Sequence, residues 1–229
     1  MKKKIAVAVS LLLVLALSIG GTIAWLTDSE TVTNTFTIGN VDITLKETDA
    51  QGNKVNAQSF KFVPGVTMAK DPTVTVEAGS EACYVFVKVD EVIGNDNNKV
   101  VYTSANQTVE KSFSDYFTYA IRNDGWTKGD GTNIPQNVYY REYNATDGDD
   151  AGTESDAATY YILTAGTPTN GTANDGKNGV ITVKDTVTKE MVDALNQSDY
   201  KTPQLTFTAY AIQSEGFNSA AAAWAELQK

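Results

Sequence analysis

The chain of 229 residues carries 18 basic and 28 acidic side chains, for a net charge of −10, and contains one cysteine and no histidine. Few clustered Lys and Arg side chains are available to bind phosphate, which excludes nucleic acid as a partner. The single cysteine excludes a disulfide framework, and the length suits one domain with a buried core.

The first 24 residues have the features of a secretory signal peptide. Lys2–Lys4 form a positive region, Ile5–Ile19 is a 15-residue run of mostly apolar side chains, and Gly20–Gly21 interrupts helix formation. This leader holds three lysines and no acidic residue. The chain beyond residue 24 therefore keeps 15 basic and 28 acidic residues, a net charge of −13.

The cleavage site is predicted from small residues. Thr22 and Ala24 occupy the −3 and −1 positions, so the mature protein is predicted to begin at Trp25 as a single domain, 25–229. The alternative is an uncleaved membrane helix, because Ile5–Leu26 is 22 residues long and could span a bilayer. The glycines and the threonine near the end of that stretch favour cleavage.

Strand patterns dominate the mature chain. Strands are predicted over 35–45 with a bend at 39–40, over 60–63, and over 73–92 with a tight turn at 78–80. Further strands are predicted at 116–122, 138–143, 159–164, 180–184 and 203–213. Alternation places Val85, Val87 and Val89 on one face of their strand and Tyr84, Phe86 and Lys88 on the other. In the last strand, one face carries Leu205, Phe207, Ala209 and Ala211, and the other face carries Thr206, Thr208, Tyr210 and Ile212.

Helical patterns are few. A short helix is predicted within 108–117, a second over 187–196 capped by Thr186, and a third over 220–227 capped by Ser219. No alternation of strands and helices runs through the chain. Together these patterns predict an all-β fold, an antiparallel sandwich with a few short helices.

The long loops 144–159 and 165–180 are rich in Gly, Asn, Asp and Thr, which is typical of solvated turns. One loop is acidic enough to be a weak candidate for Ca²⁺, through Asp147, Asp149, Asp150, Glu154 and Asp156. Their order does not match the EF-hand pattern, so a solvated turn is the favoured interpretation and no metal site is predicted.

The absence of histidine excludes the H-E-x-x-H zinc site and the Ser-His-Asp and Cys-His arrangements. Two carboxylates could still serve a glycosidase, but no pair is singled out by spacing. Cys83 lies in an apolar run, where a buried inert thiol is expected and an intermolecular disulfide is the alternative. We predict no catalytic residue, no cofactor and no enzymatic activity.

Three segments resemble the TasA/camelysin family of Gram-positive bacteria. The first, GGTIAWLTDSETVTNTFTIGNVDITLKE, has the family's Gly-Gly-Thr-x-Ala leader end and an N-x-F-x-x-G-x-V-x-I strand. The others are residues 62–89, with a Pro-Gly turn between apolar segments, and residues 205–227, with a closing strand and helix. Together they cover roughly a third of the chain. Residues 92–185 show no such resemblance.

The resemblance implies a jelly-roll-like sandwich, a leader cut by a signal peptidase of the SipW type, and a secreted subunit of biofilm matrix fibres or of the cell surface. It also implies that an N-terminal arm, 25–39, completes the sheet of a neighbouring copy. The side chains expected to carry that contact are Trp25, Leu26, Val32, Phe36 and Ile38. Partners would be further copies of the chain, the signal peptidase during export, and other matrix or surface proteins, with membrane contact only as a precursor.

Three alternatives remain open at this point. The arm could pair within its own sheet, as in a lone monomer. The long polar loops could instead make the protein a surface adhesin. Camelysin-like members are classed as metalloproteases, but the lack of histidine speaks against transferring that activity.

Replacing Ala24 with Phe should block cleavage, because the −1 position requires a small side chain. We expect Ala24→Phe to accumulate as a membrane-tethered precursor, whereas Ala24→Ser should be processed like the unchanged chain. N-terminal sequencing of the secreted protein should give Trp25 as its first residue. A start upstream of Gly20 would contradict the assignment.

Overall fold

The computed structural model describes residues 40–48, 53–56, 58–144, 157–166, 179–197 and 199–229. All of these residues belong to one unit of the chain, Gly39–Lys229. The predicted leader, the arm 25–39 and the acidic loop at 147–156 lie outside the described residues.

Antiparallel strands are the predominant secondary structure of the described residues, which confirms the all-β prediction. The strands described are Ile43–Thr48 (β1), Lys54–Val55 (β2), Thr67–Ala69 (β3), Thr73–Val76 (β4), Cys83–Gly94 (β5), Val100–Ser104 (β6), Gln107–Lys111 (β7), Phe117–Thr118 (β8), Thr127–Lys128 (β9), Val138–Tyr143 (β10), Ala158–Tyr161 (β11), Val180–Val183 (β12) and Lys201–Gln213 (β13). The helices described are Phe113–Tyr116 (α1), Lys189–Leu195 (α2) and Ala220–Leu227 (α3).

Two four-stranded sheets enclose the main core. Their strand orders are β11-β4-β1-β2 and β13-β5-β10-β9, and every neighbouring pair is antiparallel. Val74 and Val76 of β4 share one apolar cluster with Val85 and Val87 of β5 and with Phe207 of β13. Side chains from both sheets thus form one interior, as in a β-sandwich.

The turn between β4 and β5 moves the chain from one sheet to the other. Gly79 has a φ of +81°, which glycine adopts readily, and the Ser80 backbone N–H donates to the Glu77 carbonyl at 3.2 Å. The predicted strand, turn and strand are all confirmed. The two strands do not pair with each other, because β4 pairs with β1 and β11 whereas β5 pairs with β10 and β13.

Strand β5 is buried on both faces around Phe86. Val85, Val87 and Val89 point into the sandwich, and Phe86, which is fully buried, packs against Trp224 with ring centroids 5.1 Å apart. The second face is covered by α3, which begins after Ser219. The Ser219 hydroxyl accepts the backbone N–H of Ala222 at 3.3 Å, so the predicted cap is confirmed.

A second core lies between the three-stranded sheet β3-β12-β8 and helices α1 and α2. Phe113 and Phe117 stack with centroids 4.6 Å apart, and Phe62 meets Phe117 edge-on at 5.4 Å. Met191 of α2 is buried in the same cluster. This aromatic cluster forms one side of the candidate site described below.

The strand predicted at 60–63 was wrong: these residues form no strand, Val63 is 44% exposed, and the strand instead follows the Pro64-Gly65 turn. The short helix predicted within 108–117 is present as α1, Phe113–Tyr116, but the residues before it are not helical, because Gln107–Lys111 pairs with β6 across a two-residue turn. Ala105 and Asn106 have φ of 50° and 63° there, the backbone of a tight hairpin.

Other boundaries also shifted. In place of a strand over 116–122, Tyr116 ends α1, Phe117–Thr118 form the two-residue β8, and Ile121 makes an isolated bridge to Leu163. Helix α2 is capped by Thr188, not Thr186: its hydroxyl accepts the N–H of Met191 at 3.3 Å. The shift lets the apolar Val187 precede the cap and become buried.

Cys83 confirms the expected buried thiol. It opens β5 with no exposed surface, and burial raises the pKa of its thiol to about 12. A protonated, enclosed thiol is a poor nucleophile. In the folded chain Cys83 is therefore unsuited to an intermolecular disulfide.

Candidate functional site

A groove of about 500 Å³ lies where β1 approaches β13, and we call it the β1/β13 groove. Its size is within the range of ligand clefts, roughly 300–1,000 Å³. Its walls are β1, β13 and residues 56 and 58–62, and buried side chains of the second core close it from below. The lining residues are Leu45, Lys46, Glu47, Asn56, Gln58, Ser59, Phe60, Lys61, Phe62, Met68, Lys70, Pro72, Phe113, Phe117, Ile181, Thr202, Pro203, Gln204, Leu205, Thr206 and Phe207.

Each long wall of the groove contains a strand edge with which no described strand pairs, along Ile43–Lys46 of β1 and along β13. Strand β1 pairs with β4 along Ile43–Lys46 and with β2 only at Glu47 and Thr48. Strand β13 pairs with β5, and no other described strand pairs with it. The two strands belong to different sheets, so no ladder joins them. Each edge therefore presents backbone N–H and C=O groups that an added strand could bind.

The floor of the groove is apolar, and an aromatic side chain stands at its opening. Met68, Phe117 and Ile181 are almost fully buried beneath it, and Phe207 projects from β13. Phe60 stands at the opening with 36% of its surface exposed. An exposed aromatic side chain above an apolar floor is typical of a surface that another molecule covers.

A buried ion pair lies at the β1 side of the groove. The Lys70 ammonium is 2.5 Å from the Glu47 carboxylate, and each side chain is about 10% exposed. Lys70 also lies 5.5 Å from the centre of the Phe207 ring, a cation–π contact. Gln58 donates from Nε2 to the second Glu47 oxygen at 3.2 Å and to the Thr48 carbonyl at 3.0 Å. Both charges are thus compensated, as buried charges must be.

Comparison with known proteins gives one family. A family model described as camelysin metallo-endopeptidase matches residues 1–115, half of the 229-residue chain. The match covers residues 1–24, for which a leader is predicted, strands β1 to β7, and the groove walls formed by β1 and by residues 56 and 58–62. No curated protein matches the chain.

The family description implies a metal and points toward a protease. Such an activity requires side chains that can ligate a catalytic metal. Zinc proteases bind their metal through His, Asp or Glu side chains, with a water in the open position. The sequence has no histidine, and the described residues contain no group of three or more Cys, Asp or Glu side chains. Glu47, the carboxylate of the groove, is already bonded to Lys70. The residues described do not fit such a metal.

The site residues predicted from the sequence lie outside the described residues. This applies to Thr22, Ala24 and Trp25 at the cleavage site and to Leu26, Val32, Phe36 and Ile38 of the arm. It applies equally to Asp147, Asp149, Asp150, Glu154 and Asp156 of the acidic loop. The structure instead singles out the β1/β13 groove, which the sequence analysis missed. One feature of the sequence could have indicated this groove: two oppositely charged residues, Glu47 and Lys70, lie in stretches that otherwise form strands.

Among the described residues no helix is long and apolar enough to cross a membrane.

Removing one partner of the buried ion pair should destabilise the fold. Glu47→Gln leaves the Lys70 ammonium buried without a counter-charge, so we expect the free energy of unfolding to fall by about 3 kcal/mol. The double variant Glu47→Gln/Lys70→Met should recover most of that loss, because it removes the unpaired charge and keeps the apolar stem. Urea unfolding measures both.

The matched control is Asp193→Asn, which breaks the exposed Lys189–Asp193 pair on α2. It should change stability by less than about 0.5 kcal/mol. If Glu47→Gln were equally mild, the pair would not be buried in solution.

Proposed function

We propose that this chain, which belongs to the camelysin metallo-endopeptidase family, is a secreted structural subunit that polymerises into extracellular fibres. The observation that carries the proposal is the β1/β13 groove, where two strand edges flank an apolar floor. The occupant we assign to it is the arm of a second copy, residues 25–39.

The sequence of the arm suits an added strand. Its even-numbered positions include Leu26, Val32, Phe36 and Ile38, whereas the odd positions from 27 to 37 are all Ser or Thr. In an extended strand alternate side chains point to opposite faces. One face can therefore enter an apolar groove while a hydroxyl-rich face meets water, and the backbone bonds to the edges of β1 and β13.

Head-to-tail strand donation leads to filaments. The arm and the groove are different surfaces, so the contact between copies is heterologous and need not close into a ring. Each added copy brings a new free groove. Export through the leader would deliver the subunit to the matrix or cell surface, where the partners are further copies and other surface proteins.

Changing Phe36 to Asp should stop fibre growth without unfolding the monomer. A carboxylate without a partner is strongly disfavoured in an apolar groove. In the free subunit the same residue can remain solvated. Filaments are scored by electron microscopy, and monomer stability by thermal unfolding.

Thr37→Asp is the matched control, because it adds the same charge on the opposite face and should still form filaments. Deletion of 25–39 should also abolish filaments and leave a protein that binds the added arm peptide. If Phe36→Asp unfolded the monomer outright, the arm would belong to its own core and strand donation would fail.

The family description favours a second candidate, a metal-dependent protease, and this is directly testable. We expect purified protein to leave casein intact, because the described residues do not fit a catalytic metal. A preparation purified identically from cells lacking the protein is the control. Casein hydrolysis that exceeds the control and is abolished by a chelator would overturn the non-enzymatic proposal.

A further inference from the structure

The β1/β13 groove is positively charged on an acidic protein. Its lining contains Lys46, Lys61 and Lys70 and a single acidic residue, Glu47, so the groove carries a net charge of +2. The whole chain has a net charge of −10. This local reversal of sign indicates that an acidic ligand would be favoured at the groove and disfavoured over the rest of the surface.

Two of the lysines are available to a ligand. Lys70 is the exception, because its ammonium forms an ion pair with the Glu47 carboxylate. Lys46 is half-buried, its ammonium donates to the neutral Asn56 amide oxygen at 2.7 Å, and it forms no ion pair with a described residue. Lys61 is exposed at the lip and forms no ion pair with any described residue. Both lysines are lining residues of the groove, so an incoming strand would meet their positive charges at its border.

The arm carries the complementary charge on the complementary face. Residues 25–39 contain two acidic residues, Asp28 and Glu30, and no basic residue. Both occupy even positions, in line with Leu26, Val32 and Phe36, so an extended arm presents carboxylates and apolar groups on the same face. Glu30 and Phe36 are about 20 Å apart in such a strand, close to the length of the six-residue β1.

We propose that the groove selects its occupant by charge, with Lys46 and Lys61 binding Asp28 and Glu30 of a second copy. The inference rests on the strand-donation function proposed above and adds the chemistry of its partner, an acidic extended segment. Apolar contacts alone would accept many exposed strands. Charge complementarity restricts the choice and accelerates encounter between copies that otherwise repel each other.

Charge reversal separates this inference from the function on which it rests. Salt is a weaker test, because it screens both the attraction at the groove and the repulsion between acidic subunits. The variants are Lys61→Glu in the groove, Glu30→Lys in the arm, and the double variant in one chain. Each is made in the full mature protein, 25–229, and assembly is followed by light scattering and electron microscopy at low ionic strength.

Each single reversal should slow assembly by about three- to tenfold, since an exposed ion pair becomes a repulsive one. The double variant should return the rate to within about twofold of the unchanged protein, because it restores a pair of opposite charges. Lys128→Glu is the control: it reverses an equally exposed lysine on β9, outside the groove, and should assemble normally. Circular dichroism checks that every variant is folded.

Two results would overturn the inference. If both single reversals assembled at the normal rate while deletion of 25–39 still abolished filaments, strand donation would stand and charge selection would fail. If both reversals slowed assembly and the double variant were slower still, the two residues would act independently and not as a pair. Filaments formed without residues 25–39 would overturn the proposed function together with the charge selection.

Discussion

The fold depends on the burial of β5 from both sides. Its odd-numbered valines contribute to the sandwich interior, and Phe86 on the opposite face is sealed by Trp224 of α3. A strand with two apolar faces must lie within a sheet and beneath a further layer. The sheet places β5 between β10 and β13, and α3 covers the face that carries Phe86. Helix α3 is the next element after β13 in the chain, which brings it close to that face.

That arrangement leaves a strand edge at the groove. β13 uses one edge along the whole of β5, with a register shift between Lys201 and Gln204 where Pro203 lacks an N–H to donate. Its other edge faces β1, which is itself held by β4 in the opposite sheet. Because the sandwich keeps the two sheets apart, neither strand can complete the other. The edges are a consequence of how the core is built.

In the proposed assembly, the lysines along this opening would both discourage unwanted pairing of the free subunit and favour the acidic arm. Exposed strand edges invite unwanted pairing, and natural proteins discourage it with charged side chains, lysine above all. Lys46 and Lys61 can repel an unsuitable strand, because inserting a lysine-lined edge into an apolar neighbour leaves charges uncompensated. An acidic strand removes that penalty. The same two side chains thus oppose random association and favour the occupant that we assign.

The family description points toward a metal-dependent protease, whereas the described side chains favour the binding of a peptide strand. Fold and family do not fix activity, because function depends on the particular groups that a site contains. The described residues bring together an apolar cleft, strand edges and lysines, which suit a peptide strand. The carboxylate nearest to them, Glu47, is engaged in an ion pair.

The sequence by itself determined the strands whose side chains alternate cleanly, their faces and the all-β class. Strand β10 has the predicted bounds, and β5, β13 and the Ser219 cap were predicted closely, because period-two alternation and capping are local properties. The tertiary structure decided which strands pair. It placed β4 and β5 in different sheets, made 107–111 a hairpin strand and left 60–63 beside a groove. Strand partners are distant in sequence and compete for the same edges, so no local pattern specifies them.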